Sequence, residues 1–396
     1  MKKVLIFSLA YHPFTGGAEI ALKEITDRID PADMEFHLVT NRYDSSLPRR
    51  EKIGNVLVHR IGSGRPNPSR QDLQSISFRL SKLAFQFTVF WKARELHREY
   101  RYDGIWAMMA HSAGIPAALF KTLFPNVPYI LTLQEGDPLE KIERQMRIFG
   151  PLFSRAFTKA DVVQVISHFL GAWGTRMGFG GAPVVIPNGV DVTRFSTPRA
   201  SYTEKIGKKD GDVFLVTASR LVHKNAVDDV IRALPYLPDR VHFLILGDGP
   251  DEVMLKALAE KCEVASRTHF LGKVAYEELP EYLAACDIFV RTSRSEGMGN
   301  AFIEAMAAGL PVIGTQVGGI ADFLFDRVRN PEMETTGWVV DPDSPPQIAH
   351  AVEDICAHSE VVERVRRRAR ILVASRYDWK YIAHEMRTKV FSHIAP

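Results

Sequence analysis

The stretch RTSRSEGMGNAFIEAMAAGLPVIGTQVGG, Arg291 to Gly319, reads as a strand end, a turn, a helix and a second strand in immediate succession. Ile288–Arg291 leads in as a short continuous apolar run. The Gly-rich turn SEGMGN follows, Asn300–Ala308 reads as a helix opening at that turn, and Pro311–Thr315 is apolar again. Short continuous apolar strands separated by helices indicate a parallel sheet covered on both faces.

The same alternation extends along the chain in both directions. Upstream strands are expected at Val4–Ser8, Glu35–Thr40, Val56–Arg60, Gly104–Ala107, Tyr129–Leu133 and Val162–Ile166. A second series comprises Val184–Pro187, Val213–Ala218, Val241–Leu246, Thr268–Leu271, Ile288–Arg291, Pro311–Thr315 and Gly337–Val340. Two such series imply an α/β protein of two doubly wound, Rossmann-like domains. The segment GFGGAP, Gly178–Pro183, suits a linker. Residues 1–180 and 181–375 are therefore the expected domains, with a helical pattern over Arg376–Pro396 beyond the last strand.

Composition agrees with this reading. A chain of 396 residues can form two cores, and 46% hydrophobic with 24% charged residues is the balance of a soluble globular protein. A formal net charge of +3 gives no global basicity to argue for nucleic acid, so any anion site must be local. Cys262, Cys286 and Cys356 are an odd, scattered set, which suits a reduced cytosolic protein with buried cysteines and no disulfide framework. The opening MKKVLIFSLA has an apolar run at the short limit of a signal peptide, and a glycine turn follows directly, so it reads as a first strand. No apolar stretch approaches the roughly 18 residues that span a bilayer.

Candidate chemistry sits at strand ends. Gly16 and Gly17 lie between the first strand and a helix opening near Ala18, where backbone amides can meet a phosphate or a sugar hydroxyl; an ordinary tight turn is the alternative. Arg220 and Lys224 follow a strand and suit a diphosphate, or are two solvated cations. Glu296 and Glu304 flank the SEGMGN turn, whose amides at Gly297, Met298, Gly299 and Asn300 can bind an anion or sugar hydroxyls. Glu304 lies about one turn inside the helix with apolar neighbours, so a merely solvated position suits it poorly. Gly247-Asp-Gly249 is half a dinucleotide fingerprint without its third glycine. Asp341-Pro-Asp343 resembles a metal-binding pair but sits in a Pro-rich turn, and no metal site is expected.

Taken together the chain resembles glycosyltransferase family 4 (group 1), the retaining enzymes of the GT-B fold, whose two domains face a central cleft. The matching stretches are PFTGGAE (Pro13–Glu19), IPNGVD (Ile186–Asp191), SRLVHK (Ser219–Lys224), LGDGP (Leu246–Pro250), FLGKV (Phe270–Val274), the Glu296 and Glu304 pair, VGG (Val317–Gly319) and Gly337–Asp343. The resemblance implies that Glu296 contacts the donor sugar, Glu304 the nucleotide ribose, and Arg220, Lys224, Gly16 and Gly17 the diphosphate. It places the nucleobase near Gly272, Lys273 and Val274, and returns the C-terminal helix to the first domain. It implies transfer of a hexose-type sugar from a nucleotide sugar to a glycan or lipid-linked acceptor in bacterial-type glycan biosynthesis, in the cytoplasm or at the inner face of the cell membrane, without cofactor or metal. A nucleotide-sugar epimerase and a non-catalytic nucleotide-sugar binding protein are the competing readings.

Two departures stand out. Where the family carries histidine after the strand at Tyr129–Leu133, this chain has Gln134, which can position a hydroxyl but cannot titrate. Glu135, Asp137 and His111 are nearby candidates for the acceptor, with a helix-start packing or surface histidine as the other reading of His111. Asn225 stands where the family often has glycine, a change expected to alter only the turn. Finally, Ile76–Arg101 reads as a helix with Ile76, Leu80, Leu83, Phe87, Phe90 and Trp91 on one face, expected to pack on the sheet. Phe78, Phe85 and Val89, beside Arg79 and Lys82, then form a second stripe expected to meet an anionic membrane surface or a covering loop.

Overall fold

A computed structural model describes residues 1–68, 75–198 and 202–394. The chain divides into two compact units, Met1–Asn188 with Trp379–Pro396, and Gly189–Asp378.

The first unit is built on eight strands: β1 (Lys2–Phe7), β2 (Met34–Asn41), β3 (Arg50–Ile53), β4 (Val56–Ile61), β5 (Gly104–Met108), β6 (Tyr129–Leu133), β7 (Val162–Val165) and β8 (Val184–Val185), in the order β3-β4-β2-β1-β5-β6-β7-β8. All neighbours are parallel except β3 and β4, an edge hairpin with Ile53 opposite Val56. In register, Val4 of β1 faces Phe36 of β2 and Gly104 of β5. Strand β3 reads REKI and has no fully buried residue, so it gave no apolar run to find. Val184–Val185 pairs with β7 and thus ends the first sheet, where the sequence placed it at the head of the second series.

The last segment carries the helix Trp379–Glu385, and Trp379, Ile382, Met386, Val390, Phe391 and Ile394 lie in the core of the first unit with Val4, Ile6 and Trp106. Each large apolar side chain buried this way contributes about 1.5–3 kcal/mol.

Helix Ile76–Tyr100 packs on the sheet with the face opposite to the expected one. Phe78, Phe85, Val89, Ala93 and Leu96 are buried, while Leu80, Leu83, Phe87 and Trp91 are exposed. The reason is visible one helical turn further on. The Leu80–Trp91 stripe runs on into Arg94 and Arg98, which a sheet cannot bury unpaired, whereas the Phe78–Val89 stripe runs on into Ala93 and Leu96.

The second unit has six strands: β9 (Val213–Ala218), β10 (Val241–Leu246), β11 (Thr268–Gly272), β12 (Ile288–Arg291), β13 (Val312–Gly314) and β14 (Trp338–Val339). Their order is β11-β10-β9-β12-β13-β14, all parallel. Leu215, Ile231, Phe243, Val290, Ile313 and Ile348 are fully buried in its core. Of the three cysteines expected to be buried, only Cys286 is; Cys262 is half-buried against the core and Cys356 is exposed.

Each sheet reverses its winding once: at β1, flanked by β2 and β5, and at β9, flanked by β10 and β12. Open α/β sheets bind ligands at the carboxyl ends of strands beside such a switch. Among the described residues, no helix is long and apolar enough to cross a membrane.

Candidate functional site

In the second unit Arg220 and Lys224 leave the end of β9, Arg220 exposed and Lys224 half-buried. The LGDGP loop after β10 lies directly against them. Ser219 N–H donates to Leu246 O at 2.9 Å and Leu221 N–H to Asp248 O at 2.8 Å. A Cβ on Gly247 would stand 1.8 Å from Ser219 O, and one on Gly249 2.1 Å from Leu221 O. The two glycines therefore permit backbone-to-backbone contact that props the cation loop, which accounts for the half-fingerprint without a dinucleotide.

Asn225 does more than shape a turn. It is buried, its Nδ2 donates to Arg220 O at 2.6 Å, and its Oδ1 accepts from Arg291 Nη2 at 3.0 Å. Arg291 in turn pairs with the Glu296 carboxylate and donates through Nε to Ser293 Oγ at 3.1 Å. One side chain thus links the cation loop to the residue that orients Glu296. Replacing Asn225 by alanine strips an acceptor from a buried guanidinium and is expected to cost about 1–3 kcal/mol. Thermal denaturation measures this, and a melting temperature equal to wild type would remove the linking role.

Glu296 follows β12. Its Oε1 also accepts from Gly297 N–H at 3.2 Å, and its carbonyl accepts from Gly319 N–H at 3.2 Å. Arg294 stitches the same turn to the cation loop: its N–H donates to Lys224 O at 2.7 Å and its guanidinium to Asp228, Asp229 and Asp343. Asp343 is therefore engaged by Arg294, while Asp341 pairs with Arg329, so the Asp-Pro-Asp run is two separate ion pairs.

The helix Asn300–Ala308 begins at Gly299, and Glu304 on it is buried. Burial pushes its carboxyl up to about 7, against the opposing pull of a hydrogen bond from Tyr276 and the charges of Arg291 and Arg194. Arg194 lies over the Tyr276 ring at 5.3 Å. Gly272 ends β11 beside the LGDGP loop, with Gly247 N–H donating to Gly272 O at 2.8 Å, and Lys273 and Val274 follow it.

In the first unit Gly16 caps the helix Gly17–Thr26, and both glycines are exposed. The Gly16 N–H is taken by Glu19 Oε2 at 2.7 Å; Glu19 is buried and its pKa raised by desolvation. His111, Gln134, Glu135 and Asp137 follow the adjacent strands β5 and β6. Glu135 Oε1 accepts from Ala110 N–H at 2.7 Å and lies 3.3 Å from His111 Nδ1. A carboxylate only accepts, so Nδ1–H of His111 is the donor toward Glu135. The Glu135 side chain is fully buried and that of His111 one-third exposed. Gln134 Oε1 accepts from Asn188 Nδ2 at 3.2 Å, and Asp137 stands 3.9 Å from Lys141.

The expected residues thus gather at two sheet edges, one in each unit. Sequence reasoning missed Arg291, Tyr276, Arg194 and Asn188. Arg291 was detectable as a charge closing the apolar strand IFVR; the others carried no local signal.

Residues 198–371 match the family model for glycosyl transferases group 1, and residues 16–189 that for a glycosyl transferase 4-like domain. The chain is 31% identical over 317 residues, 76% of this chain and 78% of the other, to a GDP-mannose-dependent alpha-(1-6)-phosphatidylinositol monomannoside mannosyltransferase of Mycobacterium tuberculosis. It is 29% identical to a putative teichuronic acid biosynthesis glycosyltransferase of Bacillus subtilis, covering 64% of this chain and 61% of that one. Among solved structures, Anabaena HepE in complex with UDP and glucose superposes with a TM-score of 0.77 at 19% identity, over 99% of this chain and 100% of that one. Sucrose-phosphate synthase from Thermosynechococcus elongatus gives 0.83 at 19%, over 100% and 99%.

Proposed function

The chain belongs to the group 1 glycosyltransferases, with two Rossmann-like domains of the GT-B type, and we propose that it is a retaining, metal-independent enzyme moving a hexose from a nucleotide sugar to a glycan or lipid-linked acceptor. The observation that carries this reading is the arrangement at the β9/β12 switch. Two cations and two carboxylates of different character converge there, one carboxylate clamped by Arg291 and one buried.

In this reading Arg220 and Lys224 take the diphosphate, with the amides of the turn at Met298, Gly299 and Asn300 as further donors. Glu304 accepts hydrogen bonds from the ribose, and Glu296, its geometry set by Arg291, accepts from the sugar hydroxyls. The nucleobase rests near Gly272–Val274. The acceptor hydroxyl attacks the anomeric carbon on the face the diphosphate leaves, so configuration is kept, and the cations stabilise the departing phosphate charge. On the first unit, Glu135 fixes His111 so that Nε2 accepts from the acceptor hydroxyl, while Gln134 holds a sugar hydroxyl and Asp137 flanks the acceptor. The relatives' names, one GDP-mannose-dependent and acting on a phosphatidylinositol mannoside, support a hexose donor and a lipid-linked acceptor.

Because Glu304 binds ribose as a carboxylate, nucleotide affinity should rise with pH. With its carboxyl at about 7 in the free protein, the binding form grows roughly tenfold between pH 6 and pH 8. Calorimetric titration of nucleoside diphosphate in Glu304→Gln should be flat over the same interval. The linkage for folding has the opposite sense: a carboxyl raised above its unfolded value favours the folded state at low pH, and this contribution is lost as pH climbs toward 7.

The reading is tested on product. NMR of the first-formed glycoside should show the donor's anomeric configuration, in the presence of EDTA as in its absence. An inverted product sinks the retaining mechanism, and activity lost to EDTA and restored by magnesium or manganese sinks the metal-free one.

A further inference from the structure

The helix Ile76–Tyr100 buries Phe78, Phe85, Val89, Ala93 and Leu96, and Gln86 with them, 5% exposed. An amide in such a seam must find partners or forfeit the hydrogen bonds it made in water. Gln86 finds them on a distant stretch of chain. Its Nε2 donates to His111 O at 3.0 Å and to Ser112 O at 3.1 Å. Its Oε1 is buried without a hydrogen-bond partner among the described residues. Turning the amide over would set that oxygen against both carbonyls, so the nitrogen is the atom that faces them.

The two carbonyls need an outside donor because of a proline. Ala110–Gly114 is a π-helical turn that runs into the helix Ile115–Leu123. A π turn from His111 would draw its donor from five residues on, and an α turn from Ser112 from four residues on. Both positions are Pro116, which has no N–H. The turn is pinned on its other sides as well. Met109 enters it at φ +66°, a strained setting for a residue with a Cβ. Ala110 N–H is held by the buried Glu135. A Cβ on Gly114 would stand 2.6 Å from that of Ala156, so the turn packs hard against the helix Pro151–Thr158.

We propose that Gln86 is a positioning residue for the transfer reaction: its amide supplies the hydrogens that Pro116 lacks, and so holds His111 against Glu135 with Nε2 turned to the acceptor hydroxyl. Gln86 itself touches no substrate. The proposal rests on the reading of His111 as the group that accepts from that hydroxyl. Without the amide both carbonyls lose a donor, the turn loosens, and the His111 ring leaves its 3.3 Å contact with Glu135 Oε1. A misplacement of about 1 Å at a reacting group can cost roughly a hundredfold in rate, and Gln86, acting at one remove, is expected to cost about tenfold.

Gln86→Met keeps the length of the side chain and removes the amide. Full-length variants are compared by release of nucleoside diphosphate from GDP-mannose and from UDP-glucose, with water in the acceptor's place. Gln86→Met should lower the rate about tenfold in the wild-type chain and by no more than about twofold in a His111→Ala chain, because residues acting through one group do not add. Pro116→Ala restores an N–H and should recover about threefold of the loss in Gln86→Met, a rescue that a packing defect would not show. Hydrogen exchange, which needs no substrate, should quicken over residues 108–116 in Gln86→Met and stay unchanged in the second unit. Where Gln86→Met fails to fold, Gln86→Asn, with the same amide on a shorter arm, replaces it under the same expectations. Equal losses in both backgrounds overturn the proposal, as does unchanged exchange over residues 108–116 whatever the rates. A wild-type rate in Gln86→Met beside a slow His111→Ala overturns the proposal alone, whereas a wild-type rate in His111→Ala overturns the reading of His111 and the proposal with it.

Discussion

Lys224→Ala is expected to lower turnover about a hundredfold, and Arg220→Ala at least tenfold. A single donor aimed at charge developing in the transition state is worth roughly a hundredfold to a thousandfold. Lys224 is the half-buried member of the pair, and its carbonyl is held by the Arg294 amide. Its position is therefore set by the backbone, and the loss should fall on kcat with little repositioning to compensate. Arg220 is exposed and loses more of its effect to solvent screening. Steady-state rates for the two variants decide the matter, with circular dichroism confirming the fold. If both turn over at the wild-type rate, the β9 loop does not hold the diphosphate.

The second large effect separates the glutamates. Glu304→Ala should weaken binding of free nucleoside diphosphate between about tenfold and a hundredfold, the worth of a charged hydrogen bond in a buried site. Glu296→Ala should leave that affinity within a few-fold of wild type and depress transfer by a similar factor. Its carboxylate is engaged by Arg291 at the turn, so its removal also frees that guanidinium. Calorimetry and rate measurement on both variants read the two losses independently. Affinity lost in Glu296→Ala and spared in Glu304→Ala would reverse the assignments.

Much of the fold was legible because both sheets are parallel and buried on both faces. The helix Asn300–Ala308 and strands β9, β10 and β12 have the bounds their apolar runs imply. The edge strand β3 was not legible, since a strand whose residues alternate between exposed and half-buried leaves no apolar run. Helix Ile76–Tyr100 misled because it carries two apolar stripes, and only their continuation to Arg94 or to Ala93 separates them. At the candidate site, the strand-end position of Arg220, Lys224, Glu296 and His111 could be read from local pattern. The partners that give them character could not. Tyr276 reaches Glu304 from the segment after β11, Asn225 reaches Arg291 across two strand ends, and Asn188 reaches Gln134 from beyond β8. Such pairings arise from tertiary placement and leave no spacing in the sequence.

The central claim, that the β9/β12 switch binds a nucleoside diphosphate sugar, is tested most directly by thermal shift against UDP-glucose, UDP-GlcNAc and GDP-mannose. A ligand at a hundred times its dissociation constant adds about 2.7 kcal/mol, a rise of a few degrees for domains of this size. The account predicts that rise for at least one of the three in the wild-type chain, and its loss in Lys224→Ala with Glu304→Ala at the same ligand concentration. No shift with any of them, or a shift of the same size in the double variant, would contradict it.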